Sequence, residues 1–240
     1  MPKVVIQAGH INIQNNIDPA LHGSTGAPGE QNFTLDIANQ VSAELRKRGF
    51  EVKQTDANAN SDPAVTNFDW AMYLAIHYEA DVHNTNGYFV CAPDPSVDMV
   101  NAESVRIRDA INSEYIKLGI PKHNEWENAN TKFYYMWRSL SANTPCVLIE
   151  CGVGWRVPKD SDLLNSVDGR PRVVEHVVRG VCRAFNIPYE IPTPVPTPPP
   201  TPPPPSYPDL RPLVDQIKAI VWGKGWPWSK ISKLKQILPQ

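Results

Sequence analysis

The chain has 240 residues, of which 41% are hydrophobic and 20% are charged, and its formal net charge is -2. This composition is ordinary for a globular protein whose length allows one sizeable core and an appendage. The overall charge gives no indication of a nucleic-acid partner, and no apolar segment is long enough to span a membrane. We therefore expect neither nucleic-acid binding nor membrane insertion.

The first half of the chain alternates apolar strands with amphipathic helices. A continuous apolar run at 4–8 predicts a buried strand, and a polar loop then leads to a helix near 31–48. FEVKQT reads as the next strand, a short helix is predicted to hold Phe68, Trp70 and Met72, and YLAIH follows as a strand.

The second half continues the alternation. GYFVCA is a predicted strand, and apolar residues at helical spacing predict a helix within 97–118. A helix near 131–140 precedes the buried strand CVLIE, and the last helix is predicted at 172–185. This order predicts an α/β fold with a mostly parallel twisted sheet and helices on both faces. In such sheets the ligand site lies beyond the carboxyl ends of the strands.

A proline-rich segment marks the sharpest boundary. Residues 191–208 contain 11 prolines among 18 residues, which favours an extended polyproline spacer of about 50 Å. It separates a predicted catalytic body, 1–190, from a small helical module, 209–240. The module reads as two short amphipathic helices around a Gly/Trp/Pro turn. Its tryptophans suit either stacking on sugar rings or a small core of their own.

Charge is divided unevenly between these parts. Residues 209–240 carry six Lys/Arg and two acids, a net +4, and the remainder carries a net -6. A basic tail on an acidic body indicates binding to an anionic surface, although a solvated lysine face explains the same pattern. We expect the module to anchor the protein to a cell wall or to mediate self-association.

The four cysteines lack the spacing of a structural metal site. Cys91, Cys146 and Cys182 lie in apolar runs and are predicted to be small buried residues. Cys151 follows Glu150 directly, but no Cys/His pairing that would make it a nucleophile is visible.

Four polar residues sit at the ends of strand-like runs or in the loops that adjoin them: His10, Glu30, His77 and Glu150. Two imidazoles and one carboxylate make a three-ligand zinc set, and a second carboxylate remains for acid/base catalysis. Because these residues sit at predicted strand ends or in adjoining loops, they can converge at one edge of the sheet. The sequence alone therefore allows a zinc hydrolase.

Four segments, in order, resemble the zinc-dependent N-acetylmuramoyl-L-alanine amidases of the amidase_3 type. They are VVIQAGH, GAPGEQNFTLDIANQVSAELRKRGFEVKQT, YLAIHYEA and TPCVLIECGVGWRVPKDSDLL. The family has a His after the first strand, a Glu opening the first helix, a second His in a strand-end motif and a Glu in a PxVLxE strand. The resemblance runs over about residues 3–185.

This resemblance implies a role for each of the four polar residues. His10, Glu30 and His77 would be the zinc ligands, and Glu150 the catalytic acid/base. The implied substrate is bacterial peptidoglycan, cleaved at the amide that joins N-acetylmuramic acid to L-alanine of the stem peptide.

The chain departs from the family pattern beside these positions. The first strand ends IQAGH, with Gln7 and Ala8, where the family often has DPGH. Tyr78 and Glu79 follow the second His in place of small groups. Together with Trp155 they are the predicted substrate contacts, so the departures concern specificity rather than metal binding.

The sequence leaves the biological setting open. The N-terminus enters a strand at once without a secretory leader, so we expect a protein held in the host cytoplasm until lysis exposes the wall. With the linker and basic tail this suits a phage endolysin, although a bacterial autolysin shares most features. The alternatives are a zinc peptidase acting on the stem peptide, and a wall-binding or virion structural protein with an inactive enzyme fold.

Overall fold

The computed structural model describes residues 1–11, 27, 29–79, 86–94, 102–123, 134–154 and 160–190. These residues all belong to one unit, Met1–Glu190. The linker and helical module predicted for 191–240 lie outside the described residues and stay predictions. Among the described helices, none combines the length and the apolar character needed to cross a membrane.

The described residues form one five-stranded sheet in the order β2-β1-β3-β5-β4. Neighbouring strands among β2, β1, β3 and β5 are parallel, and β4 pairs with β5 in the antiparallel sense. The strands are β1 (Lys3–Ala8), β2 (Glu51–Thr55), β3 (Met72–Glu79), β4 (Phe89–Cys91) and β5 (Cys146–Val153). The predicted α/β class with a mostly parallel sheet is therefore confirmed.

Helices follow β1, β2, β4 and β5 along the described chain. They are α1 (Glu30–Lys47), α2 (Pro63–Thr66), α3 (Ala102–Tyr115), α4 (Asp160–Asn165) and α5 (Gly169–Ala184). Short 3-10 helices lie at Ala59–Ser61, Ile116–Leu118 and Tyr135–Arg138. The sheet thus carries long helices and short helical turns.

The two faces of the sheet are covered differently. On one face, strand residues such as Ile6, Ile76 and Ile149 belong to a core that also holds residues of α1, α3 and α5. On the other face, Ala75 and Leu148 pack with residues of α2 and of the 3-10 segments Ala59–Ser61 and Tyr135–Arg138. We call these the long-helix face and the short-helix face. Helices on both faces were predicted, but the three long ones share one face.

Two predicted helices differ from the observed elements. The short helix α2 ends at Thr66, before Phe68, and Asn67 caps it with its N–H donating to the Pro63 carbonyl. There the Trp70 N–H donates to Thr144 Oγ1, and Met72 opens β3. In the helix predicted near 131–140, the described part is the 3-10 turn Tyr135–Arg138.

The four cysteines are free thiols inside the protein. All are buried, as predicted for Cys91, Cys146 and Cys182. Burial raises the pKa of the Cys146 thiol to about 12 and raises that of Cys151 further. Because a nucleophilic cysteine needs an accessible thiolate, Cys151 is not suited to nucleophilic catalysis.

Candidate active site

Three adjacent strands place polar side chains on the short-helix face near their carboxyl ends. Gln7 lies in β1, His77 in β3 and Glu150 in β5, and His77 and Glu150 are direct register partners. The sequence predicted that His77 and Glu150 close their strands, but β3 continues to Glu79 and β5 to Val153. The ladder between β3 and β5 shifts register beyond His77, so the two side chains lie just before an irregularity.

A cluster of three potential ligand side chains lies at this edge. The ligand atoms of His10, Glu30 and His77 all lie within 4.8 Å of one another. Glu30 Oε1 is 3.2 Å from His77 Nδ1 and 3.5 Å from His10 Nε2. The structure therefore brings together the three residues that the sequence predicted as metal ligands.

Glu30 is held by the first turn of α1. It is the first helical residue, after Gly29, whose backbone is left-handed with φ of 82°. Its Oε2 accepts from the Ala27 N–H at 2.7 Å, and its Oε1 accepts from the Tyr78 N–H at 3.2 Å. These bonds fix a buried carboxylate that opens toward both imidazoles.

His10 comes from the turn after β1. Its φ of 56° lies in the left-handed region, which is uncommon for a residue with a side chain and concentrates at functional sites. The preceding Gly9 packs against the ring of His77, where an added Cβ would lie only 2.3 Å from Cε1. A residue without a side chain at position 9 therefore lets the two imidazoles come together, with ring centroids 5.0 Å apart.

Glu150 is the fourth polar residue of the site. It is buried, and its Oε2 has no hydrogen-bond partner within the described part of the chain. Burial, and then the negative charges of Glu30 and Glu79, raise the pKa of Glu150 well above its ordinary value. A buried carboxyl without a hydrogen-bond partner, next to the potential metal ligands His10, Glu30 and His77, is suited to exchanging a proton with a bound molecule.

Tyr134, Tyr135 and Gln7 form a hydrogen-bonded group behind His77. The Tyr134 hydroxyl lies 3.4 Å from His77 Nε2 and donates to Gln7 Oε1. Gln7 Nε2 donates to the Asp56 carbonyl at 3.1 Å and to the Tyr135 hydroxyl at 2.7 Å. Burial and the neighbouring Tyr73 hydroxyl raise the pKa of Tyr134 well above its ordinary value.

The sequence did not single out these tyrosines. Tyr134 and Gln7 are separated by 127 positions, so nothing local in the sequence links them. The one available signal was Gln7 itself, an amide at a position where the family often has aspartate.

The predicted substrate contacts occupy different environments. The Tyr78 side chain is only 1% exposed and packs against Phe33 on the long-helix face, so its backbone N–H is what reaches the site. Glu79 is half-buried at the end of β3, beyond His77. Trp155 lies outside the described residues.

The family of the chain follows from its sequence. Residues 4–183 match the family model described as Amidase_3, N-acetylmuramoyl-L-alanine amidase. The chain belongs to the Amidase_3 family. Its members are peptidoglycan amidases, and this chain is therefore a hydrolase of that class. No curated protein matches the chain.

Solved structures share the fold at low sequence identity. The N-acetylmuramyl-L-alanine amidase Ami1 from Mycobacterium smegmatis is 20% identical, with a TM-score of 0.55 over 77% of this chain and 97% of that one. The catalytic domain of CwlV, an amidase from Bacillus (Paenibacillus) polymyxa var. colistinus, is 18% identical, with a TM-score of 0.54 over 78% and 99%. The catalytic domain of an endolysin targeting Clostridia difficile is 15% identical, with a TM-score of 0.54 over 79% and 100%.

The three-residue cluster fits a zinc ion by its donor chemistry and its spacing. Zinc bonds of about 2.1 Å at tetrahedral angles place ligand atoms about 3.4 Å apart. The distances from Glu30 Oε1 to His77 Nδ1 and His10 Nε2 are 3.2 and 3.5 Å. Two nitrogens and one oxygen are a set that zinc accepts, and three protein ligands leave the open position that catalysis requires.

Proposed function

We propose that this amidase is a zinc enzyme that cleaves the amide between N-acetylmuramic acid and L-alanine of the stem peptide. His10, Glu30 and His77 would hold the metal, and Glu150 would act as general acid/base. The observation that carries the proposal is the convergence of the three ligand atoms beside a buried carboxyl whose Oε2 is unpartnered.

The bound zinc would polarise the amide carbonyl and make water a better nucleophile at neutral pH. The protein's part is to hold the ligands rigid. Glu30 is fixed by the N–H groups of Ala27 and Tyr78, and His77 by strand β3 and by Gly9, which packs against its ring. His10 is held by the left-handed turn that follows β1.

Glu150 would move the proton. Its Oε2 accepts a proton from the attacking water and then delivers a proton to the nitrogen of the departing L-alanine. A positioned general base contributes about 10²–10⁴-fold to the rate. The register pairing of Glu150 with His77 keeps this carboxyl beside the metal ligands on the short-helix face.

The test of this assignment is the substitution Glu150→Gln in the full chain. The amide preserves the shape of the side chain but cannot take a proton, so we expect zinc content to stay at the wild-type level while wall hydrolysis falls about 10²–10⁴-fold. Mass spectrometry of the digested wall identifies the bond, because an amidase leaves intact disaccharide and intact stem peptide.

Two outcomes would contradict the proposal. Wild-type hydrolysis by Glu150→Gln would exclude the proton-transfer role. Peptide fragments in place of intact stem peptides would favour a zinc peptidase acting on the stem. A His77→Ala variant serves as the matched control, because it should lose both metal and hydrolysis.

We further propose that the enzyme acts in host lysis as a phage endolysin. The proline-rich segment 191–208 and the basic segment 209–240 support this role, because a tethered wall-binding module raises the local enzyme concentration at its substrate. The fold is also shared with the catalytic domain of an endolysin.

The test of the tail is a comparison of residues 1–190 with the full chain. We expect the shorter protein to retain hydrolysis of soluble muropeptides but to bind walls more weakly or to lose self-association in solution. Equal wall binding together with an unchanged oligomeric mass would refute both roles of residues 209–240.

A further inference from the structure

The side-chain amide of Gln7 has only one orientation that satisfies its surroundings. Its Nε2 faces the Asp56 carbonyl at 3.1 Å and the Tyr135 hydroxyl at 2.7 Å. The Tyr135 hydroxyl donates its own hydrogen to the Ala57 carbonyl at 2.8 Å, so it presents a lone pair to Gln7. Turning the amide over would set Oε1 against the Asp56 carbonyl oxygen, with no hydrogen between them.

The orientation of Gln7 sets the direction of the next hydrogen bond. With both amide hydrogens used, Oε1 is the atom that faces Tyr134, and a carbonyl oxygen only accepts. The Tyr134 hydroxyl must therefore donate to Gln7. Gln7 is completely buried, so bulk water does not compete for this bond.

The orientation of the Tyr134 hydroxyl also determines how it contacts His77. Because the single hydrogen of the Tyr134 hydroxyl is committed to Gln7, the hydroxyl offers a lone pair to His77 Nε2, 3.4 Å away. That nitrogen contacts Tyr134 favourably only when it carries the proton. We infer that Tyr134, oriented by Gln7, is a positioning residue that favours the Nε2–H tautomer of His77 and so leaves the Nδ1 lone pair for the metal.

A proton on Nε2 of His77 changes how the other ring nitrogen, Nδ1, meets Glu30. Nδ1 is 3.2 Å from Glu30 Oε1, close enough for a proton on Nδ1 to be shared with that carboxylate. Such a proton would occupy the position that a metal ion needs. With the proton held at Nε2, Nδ1 and Oε1 face each other as two acceptors, an arrangement that a cation between them relieves. The group behind His77 thus prepares the site for a cation.

This inference rests on the proposed function only in treating Nδ1 as a ligand atom. Outer hydrogen-bond partners of metal-binding histidines typically change metal affinity about ten- to a hundredfold. Here the partner is a neutral phenol with an amide behind it. The direction of the bond comes from two backbone carbonyls, those of Asp56 and Ala57, rather than from a charge.

The first experiment reads the tautomer directly, by ¹⁵N–¹H correlation spectra of the histidine rings in the metal-free full chain at a pH where His77 is neutral. Because the Glu30 carboxylate at Nδ1 competes for the same proton, the measured quantity is the fraction of the Nε2–H tautomer. We expect this fraction to be higher in the wild type than in Tyr134→Phe, whose ring offers no acceptor at Nε2. Gln7→Met should lower the Nε2–H fraction as well, because it keeps Tyr134 but removes the acceptor that directs its hydroxyl. An unchanged Nε2–H signal in both variants would overturn the inference.

The second experiment measures zinc affinity by competition with a chelator. Tyr134→Phe should raise the Kd for Zn²⁺ about ten- to a hundredfold. Its ring can keep the packing against Trp137, whose centroid is 5.0 Å away, so the unfolding midpoint of the metal-free protein should change little. Tyr135→Phe is the matched control. It removes a neighbouring hydroxyl but leaves the Asp56 carbonyl to orient Gln7, so it should have a much smaller effect.

The outcomes separate this inference from the proposed function. If the wild type binds no zinc, the proposed function fails, while the tautomer of the metal-free protein still decides the role of Tyr134. If the wild type binds zinc and cleaves walls but Tyr134→Phe has the same Kd and the same tautomer, only the role of Tyr134 is lost.

Discussion

The close contact between Gly9 and His77 makes position 9 a sensitive test of the site. In Gly9→Ala, the new Cβ would lie 2.3 Å from His77 Cε1 and 2.4 Å from Nδ1. Carbon atoms in ordinary contact are about 3.5 Å apart or more, so the ring would have to move by about 1.2 Å. Metal–ligand distances vary by only about 0.2 Å, so in the proposed zinc site Nδ1 would no longer reach the ion.

The displacement of the His77 ring sets the expected loss of zinc affinity in Gly9→Ala. Removing a mere supporting partner costs up to about a hundredfold in affinity, so losing the ligand itself should cost at least about a hundredfold. That corresponds to at least about 2.7 kcal/mol of binding free energy. The assay is chelator competition for Zn²⁺, with wall hydrolysis measured in parallel. We expect both to fall together.

The control is another glycine of the same protein. Gly49 has φ of 83° and nothing within 4 Å of an added Cβ, so Gly49→Ala should cost about 1–2 kcal/mol of stability through backbone strain alone. Its zinc affinity should equal that of the wild type. If Gly9→Ala also binds zinc and cleaves walls like the wild type, our account of how Gly9 positions His77 is wrong.

Two further predictions concern the fold that carries the site. Asp160 is fully buried, and its Oδ2 accepts from the N–H groups of Gly87 at 2.7 Å and Val153 at 3.2 Å. Asp160→Ala should therefore lower the unfolding free energy by about 2–6 kcal/mol in urea titrations, whereas the exposed Asp162→Ala should have little effect. For Glu114, burial raises the pKa, but the hydrogen bonds from Lys117 and Arg183 outweigh it and leave the pKa lowered. The stability that Glu114 contributes is fully present above its ordinary pKa and is lost as pH falls from there through the lowered pKa of the folded state. The wild type should therefore lose more stability on acidification than Glu114→Gln. Equal acid sensitivity of the two proteins would contradict this assignment.

Apolar periodicity was sufficient to predict the sheet, because β1, β3 and β5 are buried on both faces and read as continuous apolar runs. It did not predict that β4 is antiparallel. The apolar pattern of a three-residue strand is the same in either orientation, so its pairing with β5 has to be read from the folded structure. The departure at Phe68 has the same origin, since the side chain of Thr144, 74 positions from Trp70, binds the backbone there.

The sequence predicted His10, Glu30 and His77 as one ligand set, and the structure brings their ligand atoms together. The environment of Tyr78 was not predicted, because the strand was expected to stop at His77. Once β3 is extended to Glu79, the alternation of a strand places Tyr78 on the face opposite His77. The contacts of Gln7 with Tyr134 and Tyr135 join distant parts of the chain and need the folded structure.

Along β3 and β5, alternate side chains point to opposite faces of the sheet, so the strand register decides which residues line the candidate site. His77 and Glu150 alternate with Ile76 and Ile149, which face the long helices. A slip of one residue in β3 or β5 would exchange the two sets, burying an ionisable group among α1, α3 and α5 and turning an isoleucine toward the candidate site. The free-energy cost of such a slip therefore favours the register that keeps His77 and Glu150 together on the short-helix face.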